Sequence, residues 1–596
     1  MSLTPSQQMA VDYDRHLILF AGPGSGKTAT SVAKGRRILQ QGDSHLGMVT
    51  FTTAGAGEMR ERMEASFVAT GSSLPKHRFT TGTFHSLALR HYQRHGRSTR
   101  KLISPPARAG LLAGMLSHLD FEERSAYALE LDRYQGALKP EEVELDREVE
   151  SFVHAYLQRL KGMNAMDLSM VMRDCVMGMR TGAIPLFPLT HLIGDEMQDA
   201  DQVQLELMII HANAEITTTL VGDDDQTIYE WRNAMGYEGL MRFAKETGAK
   251  TITLAENFRS LESIVAHSQI LIEHNNPKRI DKNPRAVRGP GGLIGFTSAA
   301  HTEIACGSIA KAIQAYRVGG ESVAVLGRSN RDLDFMEQHL LQATDENGNA
   351  SPIPYQRDGQ SMWQTPEVAT LTSFLSALLH GQTVDLASTL SLLQLSSSTR
   401  SSLERELGPT CGRFLDGQML NLKTETKEEA QEIKSFVGAT SFARARLRSG
   451  ELAFAIRESV NEVSRLLKGQ PKARPKLVDS LFGSAESVLV GLRGSLSQRL
   501  NIVGRANNKE PHEGAVRLLT MHSSKGLEFD LVFLLNANDP EDGSTLIDDH
   551  PERRLFYVAM TRAKNRLAVL YCNKPIKYIS EARLPYFPTL DALFAV

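Results

Sequence analysis

Eight residues near the start of the chain, Ala21-Gly22-Pro23-Gly24-Ser25-Gly26-Lys27-Thr28, have the types and spacing to hold a polyphosphate. Small residues let backbone N–H groups wrap phosphate oxygens at the positive end of a helix. Lys27 would neutralise phosphate charge there, and the Thr28 hydroxyl would ligate Mg²⁺. A second cluster, Asp195-Glu196-Met197-Gln198-Asp199, supplies the acids that such a site needs. Asp195 would hold Mg²⁺ through water, and Glu196 would orient or deprotonate an attacking water. Together the two clusters point to hydrolysis of a nucleotide, with ATP and Mg²⁺ as the expected ligands.

Chemistry of this kind has to be positioned by buried strands. Leu17–Phe20 runs straight into the first cluster, and Ala29–Leu39 reads as the helix that follows it. His191–Gly194 ends in the second cluster, and the carboxyl end of a buried parallel strand is where ligands bind in such sheets. Comparable apolar runs occur at Met48–Phe51, Ile216–Val221 and Thr251–Leu254, and again at Val323–Leu326, Val516–Leu519, Leu531–Leu535 and Leu567–Tyr571. Alternation with helical patterns predicts two parallel α/β sheets. Two long stretches, from about Ala88 to Gly182 and from about His380 to Pro511, read instead as helical insertions.

Composition narrows the class. A chain of 596 residues is too long for one domain, and its 41% hydrophobic and 23% charged residues fit a globular protein. The net charge of −2 removes any argument from bulk positive charge, so nucleic acid would have to be held by a locally basic groove. Four scattered cysteines with no CxxC pair exclude zinc-ribbon and iron–sulfur spacings and fit a reduced compartment. The polar start from Met1 to Asp14 has no leader pattern, and no apolar run reaches the ~18 residues of a membrane span. The expectation is a cytoplasmic protein with no membrane partner.

Further motifs follow in order: Leu3-Thr4-Pro5-Ser6-Gln7, Val49-Thr50-Phe51-Thr52, Gly82-Thr83-Phe84-His85-Ser86 and Val221-Gly222-Asp223-Asp224-Asp225-Gln226-Thr227-Ile228-Tyr229-Glu230-Trp231-Arg232. Then come Asn257-Phe258-Arg259-Ser260, Thr520 to Phe529 and Glu552 to Lys564. This ordered set, spanning nearly the whole chain, resembles superfamily 1 helicases of the UvrD/Rep/PcrA type. The resemblance implies two RecA-like parallel-sheet P-loop domains, each with a mostly helical insertion. Its boundaries fall at 1–87 and 185–263 for the first domain, with 88–184 inserted. For the second they fall at 264–380 and 512–596, with 381–511 inserted.

By the same resemblance, Arg259 and Arg562 are arginine fingers reaching the phosphate across an interdomain cleft, and Gln226 senses the γ-phosphate. Gln7 reads adenine, Phe258 packs on the nucleotide and Glu528 touches its ribose. Phe51, Thr83, Phe84, His85, Tyr229, Trp231 and Arg232, with Thr520 and His522, would line the track of a single strand, with aromatic rings stacking on bases. The implied activity is ATP-driven 3′→5′ movement on single-stranded DNA and at junctions with duplex, with strand separation. The alternative is a translocase or DNA-sensing subunit of a plasmid or antiphage system that works with a separate nuclease or repair partner.

Some positions depart from the family pattern. Asn233 stands where Gly is usual, and Thr53-Ala54 stand where Asn-Lys is usual, which removes a possible phosphate contact. Met166-Asp167-Leu168-Ser169 matches the family's acidic helical motif only loosely. The acidic loop Asp539-Pro540-Glu541-Asp542 reads as solvated surface.

Overall fold

The computed structural model describes residues 3–595 except 97, 117, 118, 120, 231, 232, 346, 348, 350, 360, 419–423, 472, 506–513 and 540–548. Trp231, Arg232 and most of the acidic loop after Asp539 therefore lie outside the described residues. Two compact units are present. The first comprises residues 1–292, 544–565 and 580–583, and the second 293–543, 566–579 and 584–596.

The first unit is built on six parallel strands: β1 (Leu17–Ala21), β2 (Leu46–Thr50), β3 (Phe79–Thr83), β4 (His191–Gly194), β5 (Thr217–Gly222) and β6 (Lys250–Leu254). Their order across the sheet is β3-β2-β4-β5-β1-β6, so β1 lies between β5 and β6. Every residue of β1 and β2 is buried, as a sheet covered by helices on both faces requires. Helices Phe121–Gly136, Arg147–Gly162 and Leu168–Arg180 form most of the inserted segment. They close over their own small core of Leu131, Val153, Tyr156 and Leu160.

The second unit repeats the plan with β7 (Leu293–Ser298), β8 (Val323–Gly327), β9 (Tyr355–Arg357), β10 (Val516–Thr520), β11 (Phe529–Leu535) and β12 (Ala563–Tyr571). The order is β7-β12-β11-β8-β10-β9, again all parallel. One continuous apolar core runs from this sheet into the helices between Thr383 and Arg505 and includes the second tryptophan, Trp363. The α/β architecture expected from the sequence is present. Strands β3, β7 and β9 were not expected from apolar runs, because Thr, Gly and short length obscure them. No described helix is long and apolar enough to cross a membrane.

One buried residue of the first unit makes stability depend on pH. The His211 ring is fully buried; Nδ1 donates to the Leu207 carbonyl at 2.7 Å and Nε2 accepts the Phe187 N–H at 3.1 Å. Both bonds require the neutral ring, and burial lowers its pKa from 6.5 to about 4. The folded value lies below the unfolded one, so this contribution is complete above pH 6.5 and is lost as pH falls towards 4. Each pH unit in that window should cost about 1.4 kcal/mol. Thermal midpoints recorded between pH 4 and 7 should fall more steeply for the native chain than for His211→Gln.

Candidate active site

The Gly-rich loop leaves the end of β1 and enters the helix Lys27–Gln40, whose N-terminus has no side-chain cap. Its first-turn N–H groups are thus presented to an anion. Gly24 and Gly26 have φ of +69° and +80°, in the left-handed region. A Cβ on Gly24 would lie 2.4 Å from the Cβ of Arg259, and one on Gly26 would lie 2.7 Å from the Gln7 amide nitrogen. Gly24→Ala should therefore displace Arg259 and strain the loop. A loss of ATP affinity of at least tenfold in equilibrium binding is expected, and native affinity would show that the loop can yield.

Neighbouring segments brace the loop. Gln7 closes a capping box with Thr4, and its Nε2 donates to the Ser25 carbonyl at 3.0 Å. Asn257 donates to the Pro23 carbonyl at 2.9 Å, while its Oδ1 accepts the N–H groups of Arg259 and Ser260, each at 2.9 Å. The Ser25 hydroxyl donates back to the Gly22 carbonyl at 2.7 Å, and the Phe258 N–H donates to the Gly24 carbonyl at 2.8 Å. Ala21 is fully buried at the end of β1, Thr28 is half-buried in the first helical turn, and the Phe258 ring is exposed.

The acids sit at the carboxyl end of β4. Lys27 Nζ lies 3.4 Å from Glu196 Oε1. Burial works against the Lys27 charge, but the carboxylates of Glu196, Asp223 and Asp195 outweigh it and raise its pKa. Glu196 has φ of +55°, and its Oε2 accepts from Gln198 Nε2 at 2.6 Å. Gln198 is fully buried and also accepts the Asp223 N–H at 3.0 Å, so one amide fixes both acids. Burial, together with the charge of Glu196, pushes Asp195 up to about 7.

Hard oxygen donors and surplus negative charge at Thr28 and Asp195 suit Mg²⁺. A different trio, Asp223, Asp224 and Asp225, also brings carboxylate oxygens within 4.8 Å of one another. Lys282 already occupies it, with Nζ at 3.1, 2.7 and 2.7 Å from the three. Arg279 adds a two-pronged contact to Asp225 at 2.9 and 2.8 Å. This trio is therefore a neutralised structural cluster.

From it the polar chain continues to the last part of the site. Asp223 Oδ2 accepts from Gln226 Nε2 at 2.6 Å, and Gln226 Oε1 accepts from Arg562 Nη2 at 3.2 Å. Arg562 is 1% exposed; burial and the nearby Arg259 guanidinium lower its pKa to about 9. Arg259 donates to the Thr561 carbonyl at 3.1 Å. Two close guanidinium groups in a low-dielectric interior are what a multiply charged phosphate would relieve. Ten residues of the sequence reading, Gln7, Gly24, Ser25, Gly26, Lys27, Asp195, Glu196, Gln226, Arg259 and Arg562, thus converge in the first unit.

Comparison with known proteins decides the family. Residues 3–247 match the UvrD/REP helicase N-terminal domain, and residues 252–400 with 455–574 match the UvrD-like helicase C-terminal domain. The chain belongs to the UvrD/Rep helicase family. Among its relatives, ATP-dependent DNA helicase Rep of Salmonella typhimurium is 26% identical across 97% of this chain and 92% of its own length. DNA helicase II of Haemophilus influenzae is 25% identical, covering 97% and 84%. ATP-dependent DNA helicase PcrA of Leuconostoc citreum is 24% identical, covering 95% and 82%. Both family regions contribute to the site, since Lys27 and Gln226 come from the N-terminal match and Arg259 and Arg562 from the C-terminal one.

The expected strand-contact residues of this helicase-family chain fare unevenly. Phe84 is 1% exposed, with its ring centroid 5.3 Å from that of Phe51, and belongs to the core beneath β3. It is corrected here from a base contact to a packing residue, since it opens a helix whose inward face also carries Leu87 and Ala88. Phe51, His85 and Tyr229 are half-buried. The Thr83 hydroxyl accepts the Ser86 N–H at 3.1 Å and so caps a helix. In the second unit, Thr520 similarly accepts the Ser523 N–H at 3.1 Å; His522 is half-buried and Glu528 exposed.

The residues missed by sequence reasoning are Gln198, Asn257, Arg279, Lys282 and Arg554. Arg554 donates to the Thr227 carbonyl at 2.9 Å and pairs with Glu230, just before Trp231. Gln198 and Asn257 stood inside motifs already singled out, whereas nothing local marks Arg279 or Lys282.

Proposed function

We propose that this ATP-dependent DNA helicase uses ATP hydrolysis to move 3′→5′ along single-stranded DNA and to separate duplex at single-strand junctions. The observation that carries the reading is the joining of Lys27, Glu196, Gln226 and Arg562 around one phosphate-binding loop. Lys27 would hold the outer phosphates, and Glu196 would take a proton from the attacking water. Gln226 and the two arginines would meet the charge that develops on the transferred phosphoryl group. Mg²⁺, held by Thr28 and Asp195, would supply further neutralisation of phosphate charge. Tyr229 and the segment after it follow directly from Gln226, so a change at the phosphate has a short covalent route towards the strand contacts.

The test is ATPase turnover of the purified chain with and without single-stranded DNA, alongside Lys27→Ala. Strong stimulation that vanishes in the variant is expected. Polarity is then read from duplexes carrying a 3′ or a 5′ single-stranded tail, of which only the 3′-tailed one should be opened. Opening of the 5′-tailed duplex alone would reverse the polarity. The absence of stimulation would point to a subunit that waits for a nuclease or repair partner.

A further inference from the structure

A second cavity, of about 240 Å³, lies within the helical insertion of the first unit. Tyr134 and Gln135 reach it from the helix Phe121–Gly136, Leu157 and Lys161 from Arg147–Gly162, and Met170, Arg173 and Asp174 from Leu168–Arg180. The spacings of four, and of three and four, put each set on one helical face. Arg100 completes the rim.

The floor has an unusual polarity. Gln135 is 4% exposed, and its Nε2 donates to Asp167 Oδ2 at 2.8 Å. Asp167 also accepts the Tyr156 hydroxyl at 2.7 Å and the Met170 N–H at 2.9 Å. A carboxylate acting only as acceptor fixes which way the amide faces. Gln135 Oε1 is thereby left buried at the cavity without a hydrogen-bond partner. An unmet buried acceptor is costly, and it calls for an N–H or O–H donor. Around the rim, Arg100, Lys161 and Arg173 have no ion-pair partner within 4 Å among the described residues, and Asp174 is the only acid that lines the cavity. The walls of Tyr134, Leu157 and Met170 are apolar.

A donor-bearing ring against an aromatic and aliphatic wall, with phosphate at a cationic rim, is the chemistry of a nucleotide. We infer that this cavity takes one nucleotide unit of a single strand, its base against Tyr134, its Watson–Crick edge on Gln135 Oε1 and its phosphate among Arg100, Lys161 and Arg173. Every base carries an N–H donor on that edge, so a lone acceptor admits all of them and imposes no sequence. The inference rests on the reading of the chain as a motor on DNA, and it adds a contact far from the expected strand track in sequence.

Binding of a fluorescent oligothymidylate of about 20 nucleotides to the full chain tests it. Arg173→Glu, Lys161→Glu and Tyr134→Ala alter partly or fully exposed side chains, and unchanged DNA-independent ATPase confirms that each variant is folded. The charge reversals should weaken binding about tenfold and flatten the dependence of log affinity on log salt by about one unit per lost phosphate contact. Tyr134→Ala should weaken binding by roughly fivefold or more. A 4-thiothymidine strand should also cross-link to the peptide containing Tyr134. Native affinity and salt slope in all three variants, without that cross-link, would overturn the cavity assignment and leave the motor intact. Displacement of the strand by equimolar free dAMP would reassign the cavity to a mononucleotide and overturn it too. Failure of the native chain to bind the strand at all would remove the motor reading itself.

Discussion

Glu196→Gln is expected to slow ATP hydrolysis by about 10²–10⁴-fold while ATP affinity stays within a few-fold of native. Glu196 sits at the carboxyl end of β4 in a left-handed backbone conformation, with one oxygen 3.4 Å from Lys27 and the other fixed by Gln198. The amide that replaces it occupies the same volume and can still accept from Gln198, so the loop and Lys27 keep their places. Only the capacity to take a proton goes. Single-turnover measurements separate the outcomes: a normal hydrolysis step would mean that Glu196 only orients water, and lost binding would mean that it chiefly positions Lys27. Gln198→Ala should reproduce part of the loss, because it releases both Glu196 and the Asp223 backbone.

Lys282→Met should cost about 3–5 kcal/mol of stability in the first unit. The Lys282 ammonium is 3% exposed and touches Asp223, Asp224 and Asp225 together. Without it, three buried carboxylates face Arg279 alone, and Arg279 contacts only Asp225 within that trio. Burial and the neighbouring acids already raise Asp224 to about 6. The variant should therefore bind protons here and regain stability as pH is lowered from 7 to 5. Because Asp223 holds Gln226, turnover should fall further than ATP affinity. Urea midpoints and steady-state kinetics read both effects; native values in each would show that the trio needs no cation.

Much of the site was legible because its pieces are local. Strand, Gly-rich turn and helix stand within two dozen residues, and Asp195-Glu196 directly follow an apolar run. The contact between Gln226 and Arg562 spans 336 positions, and only the order of family motifs anticipated that these residues belong together. Lys282 carries no such mark. It lies 57 residues from Asp225, in a polar stretch with no periodicity, and becomes important only when the chain folds back. Phe84 shows the opposite failure. An aromatic residue beside Thr and His looked like a base contact, but a helix starting there turns the ring inward. The strand Leu293–Ser298 was hidden by the glycines before it and by Gly295, where a Cβ would lie 2.6 Å from the Phe587 ring.

The assignment of residues 544–565 to the first unit has a consequence for biosynthesis. Lys27, Glu196, Gln226 and Lys282 all emerge from the ribosome before residue 293, whereas Arg562 follows only after residues 293–543 have been made. At about 5–20 residues per second, that delay is roughly 10–50 s. During this time the nascent chain can close its Gly-rich loop and bury its aspartate trio, but it lacks Arg562. Hydrolytic competence is thus withheld until translation is nearly finished, and a chain truncated anywhere before Arg562 would lack that arginine however well its first 292 residues fold.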